Sequence, residues 1–336
     1  MLLTRAQLSV LARGAAAIRG YFCSAAAVGG ATLACAAAWR RCTASGCRAT
    51  HSGMAAAASG GLELLGSRAD HSWVRQLTED PERPEREPNK TSRQVRSGHY
   101  VLVKPTPLAE PLHIIHSKEM AAELGLDDEA CASEEFVKMF SAGQQADGFE
   151  SWATPYALSI YGQEMYQNCP FKNGNGYGDG RAITLGEVVI PSAAGAGGTR
   201  WELQLKGAGT TPFCRGGDGR AVLRSSIREF LVSEAMHHLG VSTTRALSLM
   251  GSRSETVSRP WYSNSREVPG VDDPRLAHLP METRKQLLAQ LGSQLQQPDV
   301  MISEQCAITC RVATSFTRVG HIELHGRRCK KSDTPE

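Results

Sequence analysis

The stretch from Asn168 to Gly219 constrains this chain more than any other. NCPFKNGNGYGDGRA places glycine at 174, 176, 178 and 180, a backbone too permissive for helix or strand. Two runs of strand character follow, Arg181 to Ile190 (RAITLGEVVI) and Arg200 to Lys206 (RWELQLK), joined by the flexible PSAAGAGGT. In the second run Trp201, Leu203 and Leu205 point one way and Glu202, Gln204 and Lys206 the other. A further glycine-rich crossover, KGAGTTPFCRGGDG, leads into a helix that the spacing predicts from Asp218 or Gly219 to about His238. Leu223, Ile227, Phe230, Leu231 and Leu239 mark its buried stripe, and Gly240 is its left-handed stop. Arg224, Arg228 and Glu229 lie off that stripe and are available for polar work. Glycine loop, hairpin, lysine-ended strand and helix make an α+β order of parts.

The flanks are plainer. Residues 63–155 read as an extension with a Pro- and charge-rich surface loop at 78–98 and a short extended run, His99 to Lys104, broken by Pro105 and Pro107. Ser117 to Leu124 opens as a capped helix that Gly125 stops, and Glu134 to Met139 is another helical turn. Beyond the central helix, Ala246 to Met250 reads as a strand. Residues 253–300 read as an insertion, with an amphipathic helix at 280–297 carrying Leu287, Leu288, Leu291 and Leu295 on one side. A last strand, Ala307 to Phe316, sets Thr309 and Arg311 on one face, and 326–336 is a polar, basic tail.

The first 62 residues carry six arginines, no lysine and no acidic residue. That is the composition of an organellar transit peptide, with a mitochondrial address ahead of a plastid one. With a formal net charge of +3 for the whole chain, the body after residue 62 holds −3, which gives no electrostatic case for nucleic acid. Gly20 to Trp39 is uncharged and long enough to span a bilayer, but its Ala and Gly content argues against a membrane anchor. Met54 offers an internal start. The ten cysteines form no CxxC, and no histidine or second pair completes a tetrahedral site around Cys306 and Cys310.

Several features have phosphate chemistry in them, and each is weak alone. Lys206 ends a strand and Glu229 follows on the next helix, the pairing by which kinase-like folds position a phosphate-holding ammonium. A solvent-facing lysine is the commoner meaning of such a residue. The glycine run is neither a GxxxxGK[ST] loop nor a clean GxGxxG, and on its own reads as a flexible surface loop. Arg311 and Arg318 could clamp phosphate through forked hydrogen bonds, or could simply be surface charge.

The words around these residues are more specific. YALSIYGQEMYQ (156–167), GYGDGRAITLGEV (176–188), WELQLKGAGTTPF (201–213), GDGRAVLRSSIREFLVSEAMHHLGV (217–241), TTRALSL (243–249) and ITCRVATSFTRVGHIE (308–323) resemble the selenoprotein O family, whose bacterial members are of the YdiU type. The resemblance runs in order over about residues 64–325. It implies a protein-kinase-like small lobe over 156–325, an antiparallel sheet plus a C-type helix, in a protein adenylyltransferase. Such enzymes transfer AMP from ATP to Ser, Thr or Tyr hydroxyls of proteins, with the nucleotide reversed relative to ordinary kinases. Carried over by motif, Gly178, Gly180 and Arg181 would touch the nucleotide. Lys206 would hold phosphate with Glu229 pairing it, Asp218 and Gly219 would line the site, and Arg311 and Arg318 would offset phosphate charge.

Members of that family continue with HGVxNTDN-like and DYGPFGF-like segments, which supply the general base and the ligands of Mg²⁺. Neither occurs in residues 1–336, so the resemblance puts the general base beyond Glu336; the selenocysteine of animal members is absent too. The run PFKNGNGYGDG also departs from a GHQFGxWAGQLGDG-type sequence, although GDGR is kept. The expectation is therefore an ATP-binding fragment without its large helical lobe, inactive alone. The alternative is a non-catalytic nucleotide-binding or interaction protein.

Overall fold

The computed structural model describes residues 61–145, 147–156, 159–160, 163–164, 177–192, 197–261, 270–294 and 300–332. The leader to residue 60, most of the 156–167 motif, the glycines at 174 and 176 and the last four residues, ending in Glu336, lie outside them. Among the described residues no helix is long and apolar enough to cross a membrane, and the 20–39 stretch is not among them.

In chain order the elements are α1 (Leu62–Ser67), α2 (Ser72–Gln76), β1 (Val101–Leu102), β2 (Pro111–His116), α3 (Lys118–Leu124), α4 (Asp128–Ala132), α5 (Glu134–Phe140) and β3 (Trp152–Ala153). There follow β4 (Ser159–Ile160), β5 (Gln163–Glu164), β6 (Ala182–Pro191), β7 (Gly198–Lys206), β8 (Ala221–Val222), α6 (Leu223–His238), β9 (Arg245–Trp261), α7 (Met281–Gln294), β10 (Val300–Ala313) and α8 (Val319–Ser332). The main sheet runs β1-β3-β6-β7-β10-β9-β2, with β8 also paired to β10. All of its pairs are antiparallel. The α+β class and the antiparallel sheet are as the sequence predicts.

Alternation along the strands sends two sets of side chains to opposite faces. Leu203, Leu205, Ile308, Cys310 and Val312 join Met120, Leu124, Phe136 and Phe140 of α3 and α5 in the main core. On the other face Phe230 of α6 packs with Ala246, Leu249 and Ala307, with Leu223 and Ile227 at its margin. Lys206, Gln204, Thr309 and Arg311 share the parity of that second face. The ladder brings them together, since Lys206 stands opposite both Ala182 and Thr309, and Gln204 opposite Arg311.

Local signals account for several boundaries. The Ser117 hydroxyl accepts from the Met120 N–H at 3.3 Å, and Gly125 caps α3 in the left-handed region at φ 79°. Gly240 follows the last residues of α6 at φ 76°. Three expectations need correction. First, α6 begins at Leu223 rather than 218, because Ala221 and Val222 pair as β8 with Ala307 and Cys306. Second, Leu231 and Leu239 are 45% and 67% exposed; the buried stripe is completed by Ser226 and Ser233 beside Phe230. Third, the 253–300 stretch begins and ends as strand: β9 and β10 remain paired out to Trp261 and Val300, forming a two-stranded arm. The expected helix is there as α7, Met281–Gln294, and the remainder of 280–297 past 294 lies outside the described residues. The polar, basic tail is helical as far as Ser332, the end of α8, with His321, Leu324 and Arg328 of that helix buried.

Candidate nucleotide site

A cavity of about 570 Å³ opens beside the end of β7. Its wall includes Gly178, Gly180, Arg181, Lys206, Asp218, Gly219, Arg311 and Arg318, so all eight nominated binding residues meet at one place. Glu229, the ninth, stands behind the wall on α6. Tyr156, Asp179, Cys214, Arg215, Arg220 and Arg259 line the same space without having been nominated.

Close backbone packing builds the rim. At Gly178 a Cβ would run into the Thr154 carbonyl and the ring of the buried Phe213, so the first GDGR loop lies flat on that ring. At Gly219, φ is +71° and a Cβ would collide with the Gly209 carbonyl group, which presses the two glycine-rich segments together.

Charge is arranged around Lys206. Its ammonium donates to Glu229 Oε2, and Glu229 Oε1 accepts from Arg311 Nη1 at 3.3 Å. Arg311 also donates to Gln204, the residue facing it in the ladder, and its guanidinium lies 5.0 Å from the Phe316 ring. One carboxylate thus serves two cations. Burial pulls the Lys206 pKa below the usual lysine value, and the Arg311 and Arg181 charges pull the same way, against Glu229. An anion bound beside the ammonium opposes both by favouring its charged form.

The remaining arginines divide by what already holds them. Arg220 is buried, with its guanidinium on Glu255 at 2.6 Å and on the carbonyls of Thr106 and Pro107 at 2.9 and 2.6 Å, so it ties strands and loops together. Arg259, from the arm, clasps Asp218 with two bonds of 2.6 and 2.9 Å and holds that carboxyl below the usual range. Arg181 makes a long contact, 3.4 Å, to the Arg220 carbonyl. Arg215 lies over Tyr177 at 4.6 Å, and Arg318 lies over Tyr156 at 5.0 Å. Lys206, Arg181, Arg215 and Arg318 therefore present donors to the space. Seven cationic residues and two acids, Asp179 and Asp218, line it. Its size and charge suit a small polyanion.

Sequence reasoning missed Asp179 although it stands between the two nominated glycines of GDGR; a charged residue inside a glycine loop was the available signal. Arg259 gave none, because the arm reads as an insertion. Glu336, beyond which the resemblance puts the general base, lies outside the described residues, and the two cavity carboxylates do not stand in for that base. Asp218 is engaged by Arg259 and Asp179 by Thr154. For a metal the fit is poor for the same reason, and among the described residues no three His, Cys, Asp or Glu side chains gather to hold an ion.

A mixed, antiparallel-sheet protein with a cation-lined cavity at a strand end is the class that fold and site define. The family model described as "Protein adenylyltransferase SelO" matches residues 87–268. Similar curated proteins include the protein nucleotidyltransferase YdiU of Azoarcus sp. (strain BH72), 44% identical over 260 residues, which are 77% of this chain and 40% of that protein. The YdiU proteins of Xanthomonas axonopodis pv. citri (strain 306) and Aromatoleum aromaticum are 41% and 40% identical, over 78% and 77% of this chain and 40% of each relative. The chain belongs to the SelO family, and it spans about 40% of the length of these relatives.

Proposed function

We propose that this chain binds ATP in the cavity beside Lys206, in the manner of a protein-kinase-like small lobe, and serves adenylyl transfer to protein hydroxyls. The observation that carries the reading is the convergence of Lys206, Glu229 and Arg311 in one cation-lined wall. In that reaction an acceptor hydroxyl oxygen bonds to the α-phosphorus while the bond to the β-phosphate's bridging oxygen breaks. Pyrophosphate leaves, and the hydroxyl proton passes to a base. Lys206, Arg181 and Arg318 would offset the charge that gathers on the phosphates.

A second reading, nucleotide binding without transfer, is favoured by the state of the two cavity carboxylates. Asp179 and Asp218 are both occupied by hydrogen-bond donors, so neither is placed to take the proton. Calorimetric titration with ATP tests the shared part of the two readings. Lys206→Ala should weaken binding roughly tenfold or more, the worth of a charge-assisted hydrogen bond. Unchanged affinity would remove the nucleotide from this cavity. Incubation with labelled ATP and acceptor proteins then separates the readings, since binding without label in protein selects the second.

A further inference from the structure

Behind the cavity, four residues from three parts of the chain close into a ring of contacts. Asp179 Oδ2 accepts from the Thr154 N–H at 3.2 Å and from the Thr154 hydroxyl at 2.5 Å. That hydroxyl, having given its proton to a carboxylate, accepts from His321 Nε2 at 2.9 Å. His321 Nδ1 in turn accepts the backbone N–H of Arg318 at 2.9 Å. The network thereby assigns the imidazole as the neutral tautomer with its proton on Nε2. Burial keeps it neutral by pulling its pKa below the usual histidine value. The ring closes where Arg318 Nη2 comes to 4.0 Å from Asp179 Oδ1. Thr154, Asp179 and His321 are all at least 94% buried. Tyr156 fills the middle, its ring 5.5 Å from His321 on one side and 5.0 Å from the Arg318 guanidinium on the other.

The distance of 4.0 Å is the informative one. A carboxylate beside an arginine ordinarily draws it into a bidentate pair, which would consume the donors a ligand needs. Here Thr154 occupies one oxygen of Asp179 twice and holds the carboxylate short of that pair. His321 fixes Thr154 and, through its backbone contact, also fixes the start of α8 from which Arg318 projects.

We propose that His321 is a positioning residue of the anion cavity, acting through Thr154 and Asp179 to keep the Arg318 guanidinium open to a phosphate-bearing ligand. The inference rests on the nucleotide reading above and names a residue that never touches the ligand. Two variants cut the relay. Thr154→Val removes the hydroxyl at nearly constant shape. His321→Asn keeps an acceptor for the Arg318 N–H but is too short to reach Thr154. Calorimetric titration of the full chain with ATP should show each binding about fivefold more weakly, and Arg318→Ala roughly tenfold more weakly. Thr154→Ser, which restores the hydroxyl, should stay within about twofold. The double variant Thr154→Val/Arg318→Ala should bind no worse than Arg318→Ala alone, a non-additivity that a general loosening of the fold would not produce.

Parent-like ATP affinity in both folded relay variants would overturn the proposal, as would additive losses in the double variant. If Lys206→Ala weakens binding but Arg318→Ala does not, the nucleotide reading stands and this one falls.

Discussion

Replacing Glu202 with glutamine should make the fold's stability less sensitive to pH. Glu202 is 4% exposed, with Oε1 accepting from the Thr184 hydroxyl at 2.7 Å and Oε2 from the Phe316 N–H at 2.8 Å. Burial pushes its pKa up from 4.5 to about 7; the two hydrogen bonds favour the carboxylate but offset only part, and Asp179 and Glu187 add to the rise. In the unfolded chain the proton leaves near 4.5, in the folded chain near 7. Between those values the native state holds the extra proton, so stability falls as pH rises and levels off above about 7. A span of about 2.5 pH units corresponds to about 3 kcal/mol, or a Tm change on the order of 5 °C for a fold of this size. Glutamine mimics the neutral acid: its oxygen can face Phe316 while its amide donates to Thr184 Oγ1. Thermal or urea melts of parent and Glu202→Gln at several pH values from about 4.5 to about 7.5 give the test, because other titrating groups cancel in the difference. The variant should gain about 3 kcal/mol on the parent across that range. Parallel curves would mean that Glu202 ionises normally, and the argument from burial would be wrong.

Two further outcomes follow from exposure. Leu231→Lys and Leu239→Lys should each move stability by less than about 0.5 kcal/mol, since both side chains face outward. A larger loss in urea melts would mean that these positions are covered. A thiol reagent followed by peptide mass mapping should label Cys214 well before Cys131, Cys306 or Cys310. Burial pushes the Cys131 and Cys306 thiols up to about 11 and Cys310 higher, whereas Cys214 lies on the cavity wall. ATP should slow that labelling; equal rates with and without it would place the nucleotide elsewhere.

Much of the site could be read from residue order. Lys206, Glu229 and Arg311 come together because strand alternation and helix placement are local properties, and both are written plainly in RWELQLK and SSIREF. Two helix faces resist the same reading. The buried side of α6 places Ser226 and Ser233 beside Phe230, and that of α8 places His321 and Arg328 beside Leu324, so apolar periodicity marks only part of what is buried. The edge strand β2 was missed because PLHIIH is short and follows two prolines; its pairing with β9 is a tertiary matter. The Thr154–Asp179–His321 relay spans 167 residues between its ends, and no local window contains it.

The long arm has one more implication. β9 and β10 pair out to Trp261 and Val300, while Arg311, toward the other end of β10, faces Gln204 of β7. Arg259 stands two residues from the Trp261 end of that pairing, opposite Ile302, and its guanidinium holds Asp218 on the cavity wall. The arm thus carries one of the cavity's seven cations, so a one-residue slip between β9 and β10 would turn Arg259 to the opposite face and release Asp218.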